Sequence, residues 1–167
     1  KARREISDRC RAFAEKPGGI YRLNVPTGAG KTLSSLRYAL AHAARYGKSR
    51  ILFVAPILAI IDQNSKVIRQ YIGDDSLILE HHSNVVQTEP AQGELDEREL
   101  LVQNWNAPII ITTLVQLLNT LFDGRTTAIP RFQALCSSVI VIDEVQTVPV
   151  KMLTLFNLAI RFLSEQC

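Results

Sequence analysis

The sequence is poor in several features that would narrow its class at once. Three cysteines, Cys10, Cys136 and Cys167, stand in 167 residues, odd in number and far apart. A disulfide framework or a zinc cluster needs partners at short spacing, so the trio points to a reducing compartment, a cytoplasmic one. Long apolar runs are missing. The longest, Ile51 to Ile61, has eleven residues and is broken by Pro56. A membrane-crossing helix needs about twenty, so none is expected and no membrane partner is implied. No basic, apolar leader marks the start, and nothing there suggests secretion. Charge of one sign is also scarce: nineteen basic against sixteen acidic residues leave +3, which permits contact with nucleic acid without announcing it.

What is present is the composition of a globular domain. Hydrophobic residues make up 47% and charged residues 21%, which excludes disorder and low-complexity filaments. The length suits one domain with a sizeable core and is too short for two full α/β domains. The first residue is not methionine and the last ones lie in an apolar, helix-like stretch, so a piece of a longer protein is expected.

Residues 1–19 are basic and helix-like up to Pro17-Gly18-Gly19, and are read as an N-terminal helical or linker segment. Ile20 to Val25 alternates apolar and polar, the pattern of a strand. Leu33, Leu36, Leu40 and Ala43 then recur at helical spacing up to Gly47. Ile51 to Ala55 is solidly apolar, as in a strand buried on both faces. A helix follows to Gly73, with a weaker strand at Leu77 to Leu79. Glu80 to Gly93 reads as a loop and Glu94 to Trp105 as a helix, with acidic residues near its N-terminus. Ile109 to Ile111 is a strand followed by a helix through Leu121. Asp123 to Phe132 is polar and turn-rich, Val139 to Ile142 is a strand, and a final apolar helix begins beyond Pro149. Solid strands alternating with helices predict a mostly parallel sheet with helices on both faces, whose ligand lies at the carboxyl ends of the strands.

Between the first expected strand and helix stands Pro26-Thr27-Gly28-Ala29-Gly30-Lys31-Thr32. In that context a glycine-rich turn cradles phosphate: the backbone wraps the anion without Cβ interference, and the helix N-terminus faces it. Thr27, Gly28, Ala29, Gly30, Lys31 and Thr32 are the expected nucleotide-binding residues. Lys31 reaches the β- and γ-phosphates of ATP, and the Thr32 hydroxyl ligates Mg²⁺. The loop departs from the generic pattern, since Val25 stands where a first glycine is usual.

Asp143-Glu144 closes the strand Val139 to Ile142. Beside a phosphate loop, Asp143 is the second expected metal ligand. Glu144 is suited to orient and deprotonate water, and Gln146 to feel the γ-phosphate. Lys31, Glu144 and Gln146 are thus the expected catalytic residues.

These motifs resemble the first RecA-like domain of a superfamily 2 helicase. Pro26 to Thr32 looks like its motif I, Val54-Ala55-Pro56 like motif Ia, Ile111-Thr112-Thr113 like motif Ib, and Asp143-Glu144-Val145-Gln146 like motif II in a DExQ form. Within the superfamily the chain is most similar to the CRISPR-associated helicase–nuclease of type I systems, the Cas-three family. The residues carrying that likeness are Ile61-Asp62-Gln63-Asn64, His81-His82-Ser83, Trp105 to Gln116 and Asp143 to Pro149. The resemblance runs from about Tyr21 to the end, and residues 20–167 are taken as the RecA-like domain. It implies a RecA-like P-loop fold and the ATP-binding half of a motor on single-stranded DNA, in a prokaryotic cytoplasm. A crRNA-guided surveillance complex would be its partner. It also implies a metal-dependent HD nuclease domain and a second RecA-like domain. No histidine here is followed by Asp, so the nuclease is expected outside this chain, as is the second RecA-like domain, and this half alone is expected to be weakly active or inactive.

By the same resemblance, Pro56, Gln63, Thr112 and Thr113 match the positions that grip DNA by its sugar–phosphate. The threonines also suit a helix N-cap. Arg125 and Arg131 read as solvated arginines, His81-His82 as non-metal residues and Trp105 as core. The last helix is apolar nearly all round, so it is either buried within this domain or, the favoured reading, some of it faces the remainder of a parent protein. Two other readings stay open: another superfamily 2 translocase on DNA or RNA, and a P-loop phosphotransferase on a small substrate. A third, a non-catalytic interaction module, suits the piece better than its parent.

Overall fold

The apolar run at Arg50–Ala55 forms the centre of the molecule. In the computed structural model, which describes residues 2–26, 28–82, 101–102, 104–124 and 128–166, this strand, β1, lies between two parallel neighbours. The other strands are β2 (Ile78–His81), β3 (Ile109–Thr113) and β4 (Ser138–Ile142), in the spatial order β2-β3-β1-β4. Register pairs Phe53 with Ile111 on one side and with Val141 on the other.

Side chains alternate across a strand, so one solidly apolar stretch feeds two cores. Leu52 and Val54 point to a core with Ile110, Leu117, Leu135 and Phe156. Ile51, Phe53 and Ala55 point to the other, with Leu36, Ile61, Ile68 and Ile111. Helices α2 (Lys31–Tyr46) and α3 (Leu58–Ile72) cover the second face. Helices α4 (Leu114–Phe122), α5 (Ile129–Cys136) and α6 (Leu153–Gln166) cover the first. Each such side chain taken fully out of water contributes about 1.5–3 kcal/mol. Both α2 and α3 stop at a left-handed glycine, Gly47 and Gly73, whose N–H closes the last turn.

The N-terminal segment is docked rather than loose. Helix α1 (Ala2–Phe13) packs on α2, where Arg37 pairs with Asp8 at 2.7 Å. The Tyr46 hydroxyl donates to the Glu15 carbonyl at 2.8 Å, and the Arg3 Nε donates to the Gly28 carbonyl at 3.0 Å.

Several sequence expectations need correction. Ile20 to Val25 forms no strand: it joins no ladder, and Ile20 is 61% exposed. Alternation specifies which face a strand would bury, but pairing needs a neighbouring edge, and this segment hydrogen-bonds to none among the described residues. Beside the sheet's other strands, β4 is correspondingly open, with only Val139 buried. Second, the turn-rich stretch ending at Phe132 already contains the start of α5. Pro130 reads as a breaker, but in the first helical turn its missing N–H costs nothing. Third, Arg131 is not a solvated arginine: it is half-buried, donates to the Val102 carbonyl at 3.2 Å and lies over the Trp105 ring. The loop expected from Glu80 starts later, since Glu80 and His81 belong to β2; its part from Ser83 onward, the beginning of the Glu94 helix, and Arg125 lie outside the described residues. Trp105 is fully buried, as expected of core, and leaves no face for a base. On α6, Phe156, Ala159 and Leu163 enter the core, while Leu155, Leu158 and Phe162 form an exposed apolar stripe.

Candidate nucleotide site

Because all the strands run parallel, their carboxyl ends share one edge, and α2 begins there. The turn before α2 depends on glycine twice: Gly28 has φ 77° and Gly30 φ 82°, both left-handed. A β-carbon at either position would strain the backbone. The Ala29 N–H donates to the Pro26 carbonyl at 3.2 Å and the Ser34 N–H to the Gly30 carbonyl at 3.0 Å, so the turn passes directly into the helix. Gly30 offers no capping side chain, so the first amides of α2 keep their partial positive charge for an anion. Thr27 lies outside the described residues.

Lys31 opens the helix and faces the end of β4. Its ammonium donates to Glu144 Oε1 at 2.8 Å and to Asp143 Oδ1 at 3.3 Å. The Glu144 hydrogen bond holds the lysine above its ordinary pKa, against partial desolvation and with help from Asp143. Lys31 is therefore cationic at any physiological pH. One lysine against two carboxylates leaves a negative charge over, which suits a divalent cation.

The carboxylates are aimed by their backbone. The Asp143 N–H donates to the Val54 carbonyl at 2.9 Å, extending the β1–β4 pairing one residue past the strand. Glu144 then takes a left-handed conformation, φ 50°, ψ 42°, which a residue with a β-carbon adopts at a cost of about 1–3 kcal/mol. Its N–H donates to Asp143 Oδ1 at 2.9 Å, and its carbonyl accepts from the Thr147 N–H and hydroxyl, each at 2.8 Å. That turn lays Gln146 against Glu144, whose Oε2 accepts from the Gln146 amide.

Thr32 and Asp143, the expected metal ligands, meet through a residue that sequence reasoning left without a role. Asn64 of α3 accepts from the Thr32 hydroxyl at 3.0 Å and donates to Asp143 Oδ2 at 3.1 Å. A hydroxyl and a carboxylate are hard oxygen donors of the kind Mg²⁺ takes, and one amide links them here, so the donor chemistry fits that ion. The available signal for Asn64 was its buried position on α3, adjacent to Gln63 and polar where α3's other inward residues are largely apolar.

The residues expected to touch DNA separate. Pro56 is half-buried at the end of β1, and Gln63 is exposed on α3. Thr113 caps α4, its hydroxyl accepting from the Gln116 N–H at 3.1 Å. Thr112 is a correction: it is fully buried, and its hydroxyl is committed to the His81 carbonyl at 2.8 Å, so its side chain has nothing to offer a strand.

A family model of the DEAD/DEAH box helicases matches residues 14–163, nearly the whole chain, and spans every motif described above. The chain belongs to the DEAD/DEAH box helicase family. As a helicase ATP-binding domain of this family it has the RecA-like fold, and solved structures agree. The crystal structure of T. fusca Cas3-ADP is similar with a TM-score of 0.75 at 22% identity, covering 96% of this chain and 19% of that one. T. fusca Cas3-AMPPNP gives 0.72 at 22% identity, covering 97% and 19%. This helicase chain thus spans about a fifth of the length of the structures it matches. No curated protein matches it. Among the described residues no helix is long and apolar enough to cross a membrane.

Proposed function

We propose that this domain is the first, nucleotide-binding lobe of an ATP-driven translocase on single-stranded DNA, of the Cas-three kind, acting in type I CRISPR interference. The observation that supports this best is the convergence of Lys31, Asp143 and Glu144 beside a turn with two left-handed glycines. In this reading residues 20–167 make up the lobe and residues 1–19 precede it. The phosphates of ATP lie against Thr27, Gly28, Ala29, Gly30 and the first amides of α2. Lys31 exchanges its carboxylate partners for phosphate oxygens. Thr32 and Asp143 would hold Mg²⁺, which would supply positive charge against the β- and γ-phosphates. Release of Lys31 frees Glu144 to accept a proton from the attacking water, while Gln146 keeps that carboxylate aimed and registers the loss of the γ-phosphate.

Pro56 and Thr113, at the carboxyl ends of β1 and β3, and exposed Gln63 on α3 contact the DNA backbone. An HD nuclease domain and a second RecA-like domain complete the motor, a crRNA-guided surveillance complex recruits it, and it works in the prokaryotic cytoplasm. An arginine brought from the second lobe is worth 10³–10⁵ in rate. The lobe by itself therefore binds nucleotide weakly and turns it over poorly.

Lys31→Ala tests the site directly. It abolishes binding of a fluorescent ATP analogue while the circular dichroism spectrum and melting temperature stay near those of the parent. Binding that survives the substitution counts against the whole reading.

A further inference from the structure

We infer that Asn64 is a positioning residue for the metal site, one that sets the direction of the Thr32 lone pairs and the orientation of the Asp143 carboxylate. The inference rests on the nucleotide reading above and adds a member to that site. Asn64 is 5% exposed, and both ends of its amide are spoken for.

The bonding has only one consistent sense. An ionised carboxylate accepts hydrogen bonds and donates none, so the group facing Asp143 Oδ2 at 3.1 Å is the Asn64 NH₂. The Asn64 oxygen is then left for Thr32, at 3.0 Å, and an amide oxygen can only accept. The Thr32 hydroxyl is therefore a donor, with its proton pointed at Asn64. A hydroxyl binds a cation through its lone pairs, which requires its proton to be directed elsewhere. Asn64 supplies that destination, and with its other end it holds the second ligand. Asp143 Oδ1 is turned toward Lys31 and the Glu144 N–H, so both carboxylate oxygens are held by donors.

No other residue type does this as simply. A carboxylate at position 64 would accept from Thr32 but would repel Asp143, and an aliphatic side chain would do neither. Partners of this outer kind are worth about 10–100-fold in metal affinity. Because Asn64 sits beside exposed Gln63 on α3, the amide also ties that helix to the two ligands.

The test uses Asn64→Leu and Asn64→Ala together. The first keeps the volume and the second removes it, whereas both lose the amide. Electron paramagnetic resonance of Mn²⁺ counts the metal retained with an ATP analogue, and fluorescent-analogue titrations run with EDTA and with Mg²⁺. Both variants are expected to bind the metal-free analogue as the parent does and to hold Mn²⁺ about tenfold or more weakly. Parental Mn²⁺ affinity in both overturns the inference. So does a loss confined to Asn64→Ala, or one that tracks melting temperature, since packing would then be the cause. A parent chain that retains no Mn²⁺ with nucleotide overturns the nucleotide reading itself, an outcome distinct from the other two.

Discussion

Asn64 and Ser65 are neighbours on α3, yet they enter two polar clusters of different character. Asn64 joins Thr32, Lys31, Asp143 and Glu144, where the lysine remains 32% and Glu144 30% exposed and the charges do not cancel. Ser65 donates to Glu80, which also accepts from Arg69 at 2.8 Å and from His82 at 3.4 Å. Arg69 pairs in addition with Asp75 at 2.8 Å. Although burial opposes it, Ser65 and Arg69 hold the Glu80 carboxyl below its usual range. Beside it, His81 is buried and accepts from the Trp105 ring N–H at 3.0 Å. The second cluster has a like balance, Arg69 at 31% exposure against Asp75 and Glu80, and spends its hydrogen bonds on joining α3 to β2 and the turn before it. The first adjoins the left-handed glycines and the uncapped first turn of α2. A polar cluster therefore points to a ligand where backbone donors without a capping side chain stand beside it, and to architecture where its side chains only join elements.

The comparison breaks most sharply at Glu144. In the proposed mechanism Glu144→Gln removes the general base, a change worth 10²–10⁴ in rate, and should cut ATP hydrolysis by about a hundredfold or more in the full-length protein. Analogue binding by this chain is retained or strengthened, because Lys31 loses its nearest competing carboxylate. A Glu144→Gln variant that hydrolyses ATP at the parental rate assigns the proton transfer elsewhere.

The second cluster and its neighbour His81 should register pH as stability instead. Burial, with Arg131 and His82 adding to it, pushes the His81 imidazole down to about 4. In the unfolded chain it titrates near the ordinary value of about 6.5. Between those values the unfolded state binds more protons, so the His81 contribution is complete above about 6.5 and is lost as the pH falls toward 4. Going from pH 7 to pH 5 should cost on the order of 2 kcal/mol at this site, read from urea midpoints. His81→Asn keeps an acceptor for Trp105 and does not titrate, so that part of the pH dependence should vanish. An equal dependence in the variant places its origin in other groups.

The smallest effect is expected at Thr113. Loss of its N-cap bond to Gln116 in Thr113→Ala costs about 1 kcal/mol of stability, with nucleotide affinity unchanged. A single-stranded oligonucleotide titration then separates the two roles. A change in DNA affinity larger than the stability loss supports backbone contact, and no change leaves Thr113 as a cap alone.

Much of this was legible in the chain. The apolar runs 51–55, 109–111 and 139–142 announced a parallel sheet covered on both faces, because a strand packed on both sides favours unbroken apolar residues. Two glycines before Lys31 announced a tight left-handed turn, since that backbone is nearly closed to other residues. Those are local constraints, written in residue type and spacing. The tertiary structure alone decided the rest. It left Ile20 to Val25 unpaired, committed Thr112 to His81 and brought Asn64, 32 residues beyond Thr32, between two ligands. Each of these outcomes depends on what stands opposite a side chain once distant segments meet, and a hydrogen bond has no partner until they do.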